Sequence, residues 1–141
     1  MTSKKRTLEV CNERFPIQGA FTISRGSKRE VHVVTATIRE GAAAGRGECV
    51  PYARYDERIE SVRAQIENMR THVEDGISRD ELRTEMPAGA ARNAVDCALF
   101  DLEAKKQGKR AWEIAGLDAP GPVVTAYTIS LGRPDEMAAR A

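Results

Sequence analysis

The sequence predicts an α+β fold: a three-stranded antiparallel meander, then helices, then the opening of a parallel β-α unit. Three observations carry this expectation. Residues 7–50 fall into short alternating or β-branched runs broken by Pro and Gly. Apolar residues between Ile59 and Leu102 then recur every three or four positions, and an apolar run at residues 123–129 is followed by Gly132-Arg133-Pro134. A period of two puts alternate side chains on one sheet face, whereas a three-four spacing builds one helical stripe. At 141 residues, 41% hydrophobic and 30% charged, the chain is the size of one ordinary globular domain and too apolar for disorder.

In chain order, Thr7-Leu8-Glu9-Val10 alternates and the strand runs on toward Phe15, with Pro16 expected to end it. A polar, glycine-containing loop is expected through Gly26 to Lys28. The β-branched run VHVVTATI at residues 31–38 suits a pleated surface. Arg39-Glu40-Gly41 turns the chain, and residues 45–50 return as a third strand ended by Pro51. Short connections between successive strands favour a meander.

Ile59, Val62, Ile66, Met69 and Val73 then form one helical stripe, with Asp56 as expected N-cap and Gly76 as stop. Ser78-Arg79-Asp80-Glu81 matches a capping box for a short helix that ends near Met86, before Pro87. A third helix to about Gln107 would bury Ala91, Ala94, Val95, Ala98, Leu99 and Leu102, and Gly108 suits its left-handed cap. Its alanines admit close approach of another backbone, and Lys105 and Lys106 complement its dipole. Trp112 is the expected anchor of one further helical turn. Residues 123–129 show little polar alternation, as expected of a strand covered on both faces. Pro134 with Asp135 and Glu136 opens a helix behind it. Such a strand needs a parallel partner. The expectation is therefore a chain that is part of something larger, or one that pairs this strand across a homo-oligomer.

Composition excludes several function classes. Lys and Arg number 22 against 21 Asp and Glu, which leaves no overall field for nucleic acid or an anionic membrane. No run approaches the roughly 18–20 apolar residues of a membrane span. Glu9, Asn12, Glu13 and Arg14 interrupt any signal-peptide core behind the basic start. Cys11, Cys49 and Cys97 are odd in number and far apart, which fits small apolar thiols in a reducing cytoplasm. His32 and His72 are equally scattered, so no zinc spacing exists. The glycines at 41–47 lead from strand to strand, the wrong context for a phosphate loop.

Four residues stand out as binding candidates. Arg25, beside Gly26 and near Lys28 and Arg29, offers a planar fork to a carboxylate or phosphate, though a loop arginine is commonly just exposed. Lys4-Lys5-Arg6, the other basic stretch, reads as a solvated, fraying terminus. Arg54 and Tyr55, with Tyr52, lie between strand and helix, where they either line a pocket or pack the helix entrance. Thr128 sits near the end of the last apolar run, where α/β ligands bind, unless its hydroxyl serves its own backbone.

Phe21-Thr22-Ile23-Ser24-Arg25-Gly26-Ser27, then residues 45–55 (GRGECVPYARY) and residues 86–102 (MPAGAARNAVDCALFDL), occur in an order that resembles the enolase superfamily, and within it the dipeptide epimerases. Residues 125–131 (TAYTISL) with Pro134-Asp135-Glu136-Met137 resemble that family's first barrel strand and the start of its first helix. The resemblance implies a capping domain at residues 1–117, and at 118–141 the first βα element of a truncated (β/α) barrel. It also implies that the loops around Arg25 and around Arg54 and Tyr55 close over the barrel mouth. Arg25 matches the arginine that contacts an acidic substrate side chain, and Thr128 the threonine that contacts substrate from the first barrel strand.

The implied chemistry is a 1,1-proton transfer at the carbon next to the carboxylate of an L-Ala-Glu-type dipeptide. Two opposed lysines exchange the proton and Mg²⁺ stabilises the enediolate. The chain departs from the family pattern here. Its lysines, at 4, 5, 28, 105, 106 and 109, include no K-x-K, and the family's acidic metal ligands lie on later strands. The expectation is a chain with neither catalytic residues nor metal ligands, inactive alone, that supplies an isomerase with substrate-binding residues. The alternatives are a muconate-cycloisomerase-like or o-succinylbenzoate-synthase-like member, or a non-catalytic α+β binding module.

Overall fold

A computed structural model describes residues 5–141. Three strands, β1 (Arg6–Ile23), β2 (Gly26–Glu40) and β3 (Ala43–Cys49), form one sheet in the order β1-β2-β3. A 3₁₀ turn (Ala53–Tyr55) leads to helices α1 (Ile59–Asn68), α2 (Arg70–Glu74), α3 (Arg79–Glu85), α4 (Ala90–Gln107), α5 (Ala111–Ile114) and α6 (Pro134–Ala138). The residues group into two compact units, 5–13 with 33–119, and 14–32 with 120–141.

In the first unit β2 and β3 pair antiparallel, with Val34 opposite Cys49, Ala36 opposite Gly47 and Ile38 opposite Gly45. Each inward residue of β2 thus faces a small residue of β3, and helix α4 settles into the space so left. A Cβ built on Gly45 or Gly47 would lie 2.0 Å from the Ala98 carbonyl oxygen or 1.9 Å from that of Ala94. These glycines, expected only to punctuate the chain, let a helix backbone touch a strand backbone. Val34, Ala36 and Ile38 form one core with Val62, Ile66, Val73 and Leu82 and with the alanine face of α4. Full burial of each larger side chain stabilises by about 1.5–3 kcal/mol.

The expected helix over the Ile59–Val73 stripe is two helices, because the chain turns at Met69, whose N–H bonds to the Ile66 carbonyl (3.0 Å), one residue short of the helical spacing. Val62, Ile66, Met69 and Val73 stay buried through the break. Asp56 is not the N-cap. It closes the 3₁₀ turn in the left-handed region, at φ 57°. Arg58 holds the cap position, and its amide donates to Ser61 Oγ (3.0 Å). The capping box at Ser78 forms as expected: Ser78 N–H donates to Glu81 Oε2 (2.8 Å) and Glu81 N–H donates to Ser78 Oγ (3.2 Å). Helix α4 buries the expected face and ends at Gly108 with φ 64°. Trp112 is half-buried rather than a core anchor, and its ring lies 5.8 Å from the Arg110 guanidinium.

Of the basic start, Lys4 lies outside the described residues, and Arg6 is not a frayed end. Its Nε donates to Glu40 Oε2 (2.7 Å) and its Nη1 to the Ile77 carbonyl (3.0 Å). Lys106 donates to the other Glu40 oxygen. The Arg6 bond above all, then that of Lys106, holds the Glu40 carboxyl below its ordinary value of 4.5. A carboxylate with a depressed folded-state pKa adds stability above its ordinary value, and loses it as pH falls through the lower folded value. Glu40→Gln is therefore expected to cost about 1–2 kcal/mol at pH 7. Thermal melts of both proteins should converge as pH drops below 4.5. A gap that does not narrow at all as the pH falls below 4.5 would contradict the assignment.

In the second unit the expected loop after Pro16 is strand. β1 continues through Pro16 to Ile23, and the chain reverses over Ser24 and Arg25 alone. A proline is tolerated because β1 is an edge strand, where a missing N–H breaks no ladder. Residues 123–129 take no regular secondary structure, and Val123, Val124 and Tyr127 are at least 82% exposed. The expected strand fails for want of a partner: no ladder among the described residues includes it, and without one neither its backbone nor its faces are covered.

Candidate functional site

Two groups of candidate residues sit on different units. On the first, β3 ends at Cys49, and Tyr52 and Tyr55 bracket the 3₁₀ turn with ring centroids 5.9 Å apart at 48°. Both rings are exposed, so they do not simply pack the helix entrance. They line an open cleft of about 620 Å³ with Cys49, Gly89 and Asn93. Arg54 is exposed on the same turn.

Glu57, which the sequence did not single out, fixes this turn. Its Oε2 accepts from Tyr52 N–H (3.1 Å) and its Oε1 from Ala90 N–H (2.7 Å), the first residue of α4. One carboxylate thereby satisfies an otherwise unpaired helix-start donor and anchors the tyrosine turn to it. The partners are 33 residues apart, and no local pattern announces them. Asn93 Nδ2 adds a bond to the Glu48 carbonyl (3.3 Å).

On the second unit, Arg25 is exposed at the tip of the β1–β2 hairpin and joins none of the ion pairs found among the described residues. Thr22 Oγ1 and Ser27 Oγ share a hydrogen bond across the hairpin (2.9 Å). Thr128 is exposed, two positions before Ser130, which bonds to β1: Thr22 N–H donates to Ser130 Oγ (2.9 Å) and Ser130 Oγ donates to the Ala20 carbonyl (3.1 Å). Leu131 N–H donates to the Thr22 carbonyl (2.8 Å). Arg25 and Thr128 thus belong to one unit, whereas Arg54 and Tyr55 belong to the other.

The thiols and imidazoles form no nucleophilic pair among the described residues. Cys49 is buried, and burial pushes its thiol up to about 11, so it stays protonated at neutral pH. Burial also raises Cys11 and Cys97. Cys97 is exposed, His32 bonds Glu30 at 2.8 Å, and His72 is exposed on α2. Among the described residues no group of three His, Cys, Asp or Glu could hold a metal ion. No helix among them is long and apolar enough to cross a membrane.

Residues 5–116 match the model of the mandelate racemase / muconate lactonizing enzyme N-terminal domain. The chain belongs to that family. As the resemblance implied, this is the N-terminal domain of the enolase superfamily.

Family members with similar sequences include L-Ala-D/L-Glu epimerase of Escherichia coli K12, 45% identical over 133 residues that cover 94% of this chain and 41% of that protein. Among solved structures, an enolase family member from Agrobacterium tumefaciens with homology to dipeptide epimerases, bound to sodium and L-Ala-L-Glu, is 57% identical with a TM-score of 0.89. That match covers 96% of this chain and 41% of that one. A dipeptide epimerase from Methylococcus capsulatus, complexed with Mg and L-Arg-D-Lys, is 28% identical with a TM-score of 0.82 over 96% of this chain and 41% of that chain. The chain therefore spans about two fifths of the length of these relatives. Homologues in this family are isomerases, and Mg accompanies at least one of them. The residues described here do not by themselves fit such an ion.

Proposed function

We propose that this chain is the substrate-recognition part of a dipeptide epimerase that takes an anionic dipeptide of the L-Ala-Glu type. The observation that carries the reading is Arg25: an exposed guanidinium at a two-residue turn, with no carboxylate partner among the described residues. A guanidinium held without a partner is suited to a carboxylate that arrives with the ligand. In this reading Arg25 binds the substrate's acidic side chain and Thr128 offers its hydroxyl. The relatives named above, one an L-Ala-D/L-Glu epimerase and one bound to L-Ala-L-Glu, support the substrate class.

The reading assigns residues 1–117 to the cap and 118–141 to the first βα element of a barrel. Proton removal and return at the carbon next to the carboxylate is assigned to none of this chain's side chains. Three free cysteines, one of them buried, support a reducing cytoplasmic setting.

The direct test is exchange of the α-proton. The protein that carries this chain, incubated in heavy water with L-Ala-L-Glu, should incorporate deuterium next to the terminal carboxylate and form the epimer. L-Ala-L-Leu should react at least about tenfold more slowly, since a missing charge-assisted bond is worth about 1.5–3 kcal/mol. Absence of exchange with every dipeptide tried would overturn the reading.

A further inference from the structure

Ser130 makes two hydrogen bonds to the outer edge of β1 that neither the sequence motifs nor the cap fold requires. An edge strand leaves every second N–H and C=O unpaired, and at Ala20–Thr22 these groups are taken up by one side chain and one amide. Ser130 Oγ accepts from Thr22 N–H (2.9 Å) while donating to the Ala20 carbonyl (3.1 Å), and Leu131 N–H donates to the Thr22 carbonyl (2.8 Å). A hydroxyl can do both at once because it carries a donor and acceptor lone pairs. The bonded serine is half-buried, in a stretch whose preceding residues have no regular structure. Arg25 lies three residues from Thr22, and Thr128 two residues from Ser130. At no more than roughly 3.3–3.6 Å per residue, each candidate is tethered within about 11 Å of the same pair of bonds.

We propose that Ser130 is a positioning residue: it fixes the hairpin tip that carries Arg25 beside the segment that carries Thr128, so that both address one carboxylate-bearing ligand. Without the latch, Thr22 N–H and the Ala20 carbonyl turn to water, and the hairpin and the segment order only when ligand binds. That ordering cost falls on binding, not on chemistry. The inference rests on the epimerase reading for the identity of the ligand, but not for the latch itself.

The test compares Ser130→Ala and Ser130→Thr with the parent protein. Thr keeps the hydroxyl, so it serves as the rescue. Ser130→Ala should speed hydrogen exchange at the Thr22 amide at least about tenfold while leaving the amides of α4 unchanged. KM for L-Ala-L-Glu should rise about three- to tenfold with kcat within twofold, and Ser130→Thr should restore both. Unchanged Thr22 exchange in Ser130→Ala, or a fall in kcat at constant KM, would overturn the proposal. A parent protein that turns over no dipeptide would instead overturn the epimerase reading, and the Thr22 exchange would still decide whether the latch exists.

Discussion

Gly47→Ala is expected to destabilise the first unit by at least about 3 kcal/mol and lower its melting temperature by more than about 10 °C. The new methyl would stand 1.9 Å from the Ala94 carbonyl oxygen and 2.7 Å from the Ala98 amide nitrogen. Both are backbone atoms in the middle of α4, so no side-chain rotation relieves the clash. Restoring ordinary contact needs a helix shift of roughly 1.5 Å. That shift would open the packing of Ala91, Ala94, Ala98 and Leu102, all at most 2% exposed. Close-packed interiors do not absorb such a displacement cheaply. Gly121→Ala is the control, because nothing lies within 4 Å of its added carbon, and it should stay within about 0.5 kcal/mol of the parent. Differential scanning calorimetry of the three proteins decides. A Gly47→Ala protein that melts with the control would mean that strand and helix do not meet backbone to backbone.

Arg25→Ala is expected to cut kcat/KM for L-Ala-L-Glu by roughly 10- to 100-fold, the worth of a charge-assisted bond, while a neutral dipeptide loses less than about twofold. Arg25→Lys should fall between, since an ammonium keeps the charge but not the two-pronged geometry. Because the guanidinium is exposed, the discrimination between the two dipeptides should also narrow as salt is raised. Equal losses on acidic and neutral substrates would show that Arg25 supports the hairpin rather than reads the ligand.

Much of the fold was legible because its signals are local. The α4 stripe, the Ser78 box, the Gly108 cap and the three strands each depend on residues within a turn or two of one another, and the structure contains them all. The misreadings share a different cause. Pro16 reads as a strand end because nothing in the sequence tells an edge strand from a central one. Asp56 reads as a helix cap, yet an aspartate serves a left-handed turn equally well. Residues 123–129 have the composition of a buried strand, yet composition supplies no partner to bury it. Among the site residues, Arg25, Arg54, Tyr55 and Thr128 were nameable from sequence, but the clasp of Glu57 and the latch of Ser130 were not.

By itself, then, the order of residues determined the β2, β3, α3 and α4 segments, the face that α4 turns inward, and the family to which the chain belongs. Tertiary structure alone decided how near those segments come and which distant groups satisfy one another. Gly47 against Ala94, Glu57 against Ala90 and Ser130 against Thr22 join positions 33 to 108 residues apart. Periodicity acts over a few residues of chain, whereas contact and hydrogen bonding act over a few ångströms of space, and only folding converts the one into the other.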